Sequence, residues 1–157
     1  MALTKDEIKA AYPLPVYNYK VNIGGETIAF SEVSGLSMSF ETITYKESKT
    51  AEPGAGPNVM TMPGQPASPT ITLKKGYVRG RNLPVFYDWI NSVQLNLIDK
   101  KDITVQLCDE NGDAVVSWNV LNAFPTKLDA PSFTADSNEV AIESMELTAD
   151  RVTMEES

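Results

Sequence analysis

A mainly β domain of the α+β kind, with several strands and one main helix, is what this sequence predicts. Three observations carry that reading. Short runs alternate apolar and polar residues, as strands with one buried face do. Gly24-Gly25 and Asn111-Gly112 sit between such runs and supply the positive φ angles of tight hairpins. Only one long stretch, from Leu83 to Leu97, carries apolar residues at helical spacing.

In chain order, Thr4 and Glu7 form a capping box that opens a short helix over residues 5–11, stopped by Pro13 and Pro15. Residues 1–15 are thus a helical arm, or a frayed tail in an isolated monomer. Residues 16–23 alternate, with Tyr17, Tyr19, Val21 and Ile23 on one face, and residues 28–31 return beyond the turn. Residues 46–69 are a long loop rich in Pro and Gly, with Pro53, Gly54, Pro63 and Gly64 among them. A connection of that length is usually disordered or functional, so it is either mobile in the monomer or ordered against a partner. Residues 70–77 form a strand with Ile71 and Leu73 inward. Asn82 can then cap a helix carrying Pro84 in its first turn, with Leu83, Phe86, Trp89, Ile90, Val93 and Leu97 as its apolar stripe. Residues 103–107 and 115–121 make a hairpin, and Trp118 anchors it to the core. Residues 125–131 are irregular, and 139–151 form a last long strand.

The stretch 31–47 reads as one long strand entered through Gly35, and its apolar phase changes partway. Leu36, Met38 and Phe40 share one face, whereas Ile43 and Tyr45 lie on the other. Residues 139–151 repeat the pattern, with Val140 and Ile142 in one phase and Met145 and Leu147 in the other. A flip of this kind means a bulge, or a strand whose two halves are covered by different neighbours.

Charge and composition exclude several functions. The chain carries −8 at neutral pH and has no histidine. An acidic protein lacks the clustered cations that nucleic-acid binding needs, so no stable nucleic-acid partner is expected. Without histidine the commonest general base and metal ligand are both missing. No catalytic, cofactor or metal residues are assigned and no cofactor is expected. The acidic run 109–113 lacks the spacing of a calcium loop and reads as a bare hairpin turn. The lone Cys108 reads as a small buried hydrophobe. No apolar run approaches the ~20 residues that span a bilayer, and no signal segment opens the chain, so synthesis in the cytoplasm is expected.

Six segments in fixed order resemble the tail-tube proteins of contractile phage tails. They are YPLPVYNYKVNIGG, SEVSGLSMSFETITYKE, MPGQ leading into TITLKKG, FYDWINSVQLNLIDKKDITVQLCDENGD, SWNVLNAFPTKLDAPSF and SNEVAIESMELTADRV. The chain is most similar to tube subunits of phage-like extracellular contractile injection systems, of the antifeeding-prophage and virulence-cassette type. The likeness spans nearly the whole of residues 1–157 as a single domain. The Pro/Gly/Ala-rich residues 49–58 depart from it, being longer than that family leads one to expect.

The resemblance implies a tail-tube fold: two packed antiparallel sheets forming a β-barrel-like sandwich, flanked by the main helix. It implies a homo-hexameric ring, with rings stacked into a hollow inner tube that sheath contraction drives through a target membrane. Implied partners are the sheath protein, baseplate or tube-initiator proteins, a tube cap, and protein cargo or a tape-measure protein in the lumen. The particle can be released from the cell. With four strands from each of six subunits, as in that family, the barrel is roughly 48 Å across, leaving about 40 Å clear. A folded domain of ~100 residues, about 34 Å across, would pass. Six chains of charge −8 put 6 × −8 = −48 on each ring. Ser37, Ser39, Glu41, Glu139 and Glu143 are lumen candidates, because they oppose apolar positions on the two long strands. Ile43, Tyr45, Met145 and Leu147 are candidates for contacts between subunits, as the repeated phase flip suggests. Pro53, Gly54, Met60, Met62 and Pro63 are candidates for ring stacking. A tube-initiating paralogue beside the baseplate is the alternative within this class. A monomeric β-sandwich that binds carbohydrate or peptide, or a carboxylate-dependent hydrolase, are the alternatives outside it.

Overall fold

The computed structural model describes residues 2–49, 54, 56–94, 97–136 and 138–156. Helix α1 (Lys5–Ala11) is followed by strands β1 (Tyr19–Ile23), β2 (Glu26–Ile28), β3 (Glu32–Ser34), β4 (Phe40–Glu47), β5 (Asn58–Pro66) and β6 (Thr70–Gly76). A π-helical turn (Leu83–Tyr87) runs into α2 (Asp88–Asn91). Then come β7 (Lys101–Cys108), β8 (Ala114–Asp129), β9 (Ile142–Thr148) and β10 (Arg151–Glu156).

Eight strands form one antiparallel ribbon in the order β2-β1-β7-β8-β9-β6-β3, with β10 on the other side of β8. It folds into two layers because β8 is sixteen residues long and serves both. Its first half pairs with β7 and β10, and its second half with β9. The corner is Asn122, whose φ of 54° places it in the left-handed region that asparagine tolerates better than most residues. Asp102 Oδ1 accepts a hydrogen bond from Asn122 N at 3.0 Å, and Asn122 Nδ2 donates to Asp150 Oδ2 at 2.8 Å. These bonds satisfy polar groups that the bend frees from the ladder. The sequence reading had 125–131 as irregular. Instead the strand continues to Asp129, because Pro125 falls at a register shift in the β8–β9 pairing.

Between the layers, Val21, Ile23, Ile103, Val105, Val120 and Val152 meet Ile71, Leu73, Met145 and Leu147. Phe86 and Trp89 close the core from the helix, and Phe30 stacks on Phe86 with centroids 5.9 Å apart. Cys108 is buried, as expected.

The main helix is shorter than its apolar stripe. The π turn, closed from Asp88 N to Leu83 O, takes up an extra residue, and the helical stretch ends at Asn91. Leu83 and Leu97 are exposed as a result, while Phe86 and Trp89 keep their core places. Asn82 is not a cap. Its backbone is already helical and its Oδ1 accepts from Val78 N at 3.0 Å. The capping box of α1 is present, with both Thr4–Glu7 hydrogen bonds formed.

Both predicted long strands are broken. Residues 35–39 separate β3 from β4 because Gly35 has φ of 87° and lies so close to the chain that a Cβ there would sit 2.1 Å from Thr70 O. In the first case the apolar phase changes at a bulge inside β4, where the pairing with β5 shifts register between Phe40 and Thr42, so of the two readings the bulge holds. In the second case Val140 precedes β9, whose inward residues are Glu143, Met145 and Leu147. Residues 46–69 likewise are not all loop, since their second half is β5.

Candidate assembly surface

Strands β4 and β5 pair only with each other and stand apart from the two layers. Every residue of β4 is exposed, and all of β5 except Gly64. At ~3.4 Å per residue, the eight residues of β4 reach roughly 27 Å. A bare two-stranded ribbon is marginal in water, so this arm needs something to lie against.

Its chemistry is sided. Ile43 pairs with Met62 and Tyr45 with Met60, which puts four large apolar side chains on one face. Thr42, Thr44 and Lys46 pair with Pro63, Thr61 and Val59 on the other. The β-branched and aromatic residues explain why the ribbon forms. A register shift between Phe40 and Thr42 marks a bulge that contains Glu41.

At the ribbon's base, Met38, Phe40, Pro66, Pro69, Val152 and Met154 line an apolar cleft of about 510 Å³. Met38, Phe40 and Met154 are each more than half exposed. Met154 lies on β10, the outer strand of the first layer, whose free edge can accept a further strand. The exposed area of the chain is 11320 Å². A compact monomer of 17.2 kDa should expose about 7,800 Å², so roughly 3,500 Å² is surplus. That surplus is the size of surface that obligate assemblies bury.

The sequence-predicted residues divide against this geometry. Ile43 and Tyr45 are half exposed on the apolar face, with Met60 and Met62 opposite them. Met145 and Leu147 are fully buried in the subunit's own core, so their side chains are out of a neighbour's reach. Glu143 is 9% exposed, in phase with Met145 and opposite Lys75, and so faces inward and not into a lumen. Ser37 and Ser39 lie exposed in the connection before β4, and Glu41 and Glu139 are exposed too. Met60, Met62 and Pro63 belong to β5 and not to a loop, Gly54 is exposed, and Pro53 lies outside the described residues. The sequence reading missed Met154; its place beside the cleft follows from the β8–β10 pairing, which no local pattern reveals.

Helix α1 has no buried residue and is tied down by Lys9 Nζ, 2.7 Å from Glu110 Oε1. That hydrogen bond holds the Glu110 carboxyl below its ordinary value and the Lys9 ammonium above its own. In the adjoining turn, Asp109 Oδ1 accepts from Asn111 N and Asp113 N, so it serves the hairpin.

A sandwich with an unpartnered arm and a large surplus of exposed surface defines a class: a subunit built for assembly. The profile of the family described as T4-like virus tail tube protein gp19 matches residues 15–153, and the chain belongs to that family. Among solved structures, it is similar to a chain of the sheath–tube complex of an extracellular contractile injection system, PVC, in its extended state. The two are 43% identical over 99% of this chain and 100% of that one, with a TM-score of 0.87. A chain of the anti-feeding prophage cap structure is 46% identical over 100% of both, with a TM-score of 0.83. Hcp1 from Flavobacterium johnsoniae, 15% identical over 90% of this chain and 97% of its own, shares the fold alone, with a TM-score of 0.55. The comparison with curated protein sequences gave no match.

Proposed function

We propose that this chain is the main inner-tube subunit of an extracellular contractile injection system. Six copies close into a ring, and rings stack into a hollow tube inside a sheath, between a baseplate and a cap. Contraction drives the tube through a target membrane, and protein cargo passes along the lumen. The role is mechanical, with no catalytic step, and the finished particle acts outside the cell that made it.

The observation that carries this reading is the β4–β5 ribbon. Its apolar face, Ile43, Tyr45, Met60 and Met62, is covered by the adjacent subunit, and its threonine-rich face is left to water in the lumen. Ser37, Ser39, Glu41 and Glu139 stay as lumen candidates on exposed connections and the bulge. A tube is favoured over an initiator beside the baseplate by degree of likeness. Identity is 43% to the sheath–tube chain but 21% to a chain of the anti-feeding prophage baseplate structure. Electron microscopy of the purified wild-type chain tests the proposal. Sixfold rings or tubes are expected; a strict monomer at high concentration that also fails to assemble with baseplate proteins would overturn it.

A further inference from the structure

The two ends of the first layer differ in charge. At one end, beside the β1–β2 turn, Lys75, Arg81 and Lys101 line a cleft of about 400 Å³ with Glu26 its single carboxylate. Lys75 is 8% exposed and its Nζ donates to Ala29 O at 3.1 Å, which leaves two ammonium protons. Its cross-strand neighbour Glu143 stands outside ion-pair distance, and none of the three cations forms an ion pair among the described residues. Lys101 Nζ lies 4.9 Å over the Trp89 ring, which orients it but does not neutralise it. Glu143 offsets the charge of Lys75 only from beyond contact distance, so an anion entering the cleft would stabilise this nearly buried cation further.

The opposite end is acidic on balance, its carboxylates outnumbering Lys9 and Lys20, whose Nζ donates to Gly112 O at 3.0 Å. There β7 turns into β8 through residues 109–113, and Glu156 pairs with Val116 as β10 finishes. Glu110 is taken by Lys9 and Asp109 by the turn backbone. Asp113, Glu155 and Glu156 remain exposed and without an ion pair among the described residues. The eight residues of β7 separate the two ends by roughly 27 Å.

We infer that the Lys75–Arg81–Lys101 cleft receives the acidic end, Asp113 with Glu155 and Glu156, of the next copy along the tube. Two unlike surfaces on opposite ends of one subunit make a head-to-tail contact, which builds an open stack when its repeat does not close on itself. The opposite charges set the polarity of the stack, because like end against like end is repelled. This contact rests on the tube reading and gives it a second interface, distinct from the ribbon.

Arg81→Glu tests it. Arg81 is exposed, so the variant should melt with the wild type and still form rings, while mean tube length falls about tenfold or more. Adding Glu155→Lys and Glu156→Lys in the same chain should restore tubes. Wild-type tubes should also shorten between about 0.1 M and about 1 M salt, as the screening length drops from ~10 Å to ~3 Å. Should Arg81→Glu melt early, Glu155→Lys with Glu156→Lys alone reads the same contact and should leave rings without tubes. Wild-type tube lengths in either variant, or lost stacking that no acid-to-lysine reversal restores, would overturn the contact. A wild-type chain that forms no rings would instead overturn the tube reading beneath it.

Discussion

Replacing Ile43 with Asp and replacing Met145 separate the subunit's own stability from its assembly. Ile43 is 51% exposed in the free subunit and Met145 is 0%. At Ile43 the free chain loses little, about 0.5 kcal/mol, which is roughly 1–2 °C in Tm at this chain length. In the proposed ring the same side chain is covered, and a carboxylate there would forfeit apolar burial and be itself desolvated, together about 2–4 kcal/mol. Each contact should therefore weaken about 30- to 700-fold. Met145 pairs with Leu73 and Leu128 inside the sandwich, so Met145→Ala costs about 2–5 kcal/mol and lowers Tm by roughly 4–20 °C. Met145→Asp adds a buried carboxylate and should consume most of a stability of about 5–15 kcal/mol. Circular-dichroism melts and analytical ultracentrifugation read the two effects. Ile43→Asp is expected to give a folded monomer, and Met145→Asp an unfolded chain. If Ile43→Asp melts as low as Met145→Ala, or still forms rings, the assignment of the ribbon to assembly is wrong.

Three further outcomes are expected. Gly35→Ala combines a positive φ with a Cβ 2.1 Å from Thr70 O, so a loss of about 2–4 kcal/mol in denaturant unfolding should follow; a neutral result would mean the connection can move freely. Asn122→Val should cost about 1–3 kcal/mol through a β-branched residue at positive φ and the lost bond to Asp150, with Asn122→Gly less harmful; calorimetry decides the order. Acid should release helix α1. Glu110, hydrogen-bonded by Lys9, and Glu7, hydrogen-bonded by Thr4, are both held below their ordinary values. Their stabilisation is present above the unfolded carboxylate range and is lost as pH falls through the folded values. NMR signals of residues 5–11 should then collapse to coil shifts while those of the core persist, and Lys9→Ala should let Glu110 titrate nearer its ordinary value.

What was legible in the sequence was what local chemistry decides. Thr4 and Glu7 are three residues apart and cap α1 whatever the rest of the chain does, and Asn111-Gly112 needs only its neighbours to turn. Ile71 and Leu73 were readable because their strand has one buried face. Strand β5 was not, since Pro63, Gly64 and Pro66 suppress its propensity and a ribbon outside the core has no alternation of burial to betray it. Gly35 was seen as a breaker but placed at a strand entry; only the approach of Thr70 O, a long-range contact, turns it into a boundary. The same limit misplaced Met145 and Glu143. Their phase was judged against Val140, which precedes β9, and Ile142, which is exposed at its start, and their burial depends on β6 and β8 from elsewhere in the chain. The family resemblance, resting on ordered segments along the whole chain, was readable where these contacts were not.

The central claim is that a second copy covers the apolar face of the β4–β5 ribbon, and methionine oxidation tests it directly. Met60 and Met62 are 44% and 41% exposed in the single chain, while Met145, at 0%, serves as an internal control. Brief peroxide treatment followed by peptide mass spectrometry should oxidise Met60 and Met62 in monomeric Ile43→Asp. In assembled wild-type particles both should be protected to the level of Met145. Equal oxidation of Met60 and Met62 in monomer and assembly would contradict the account.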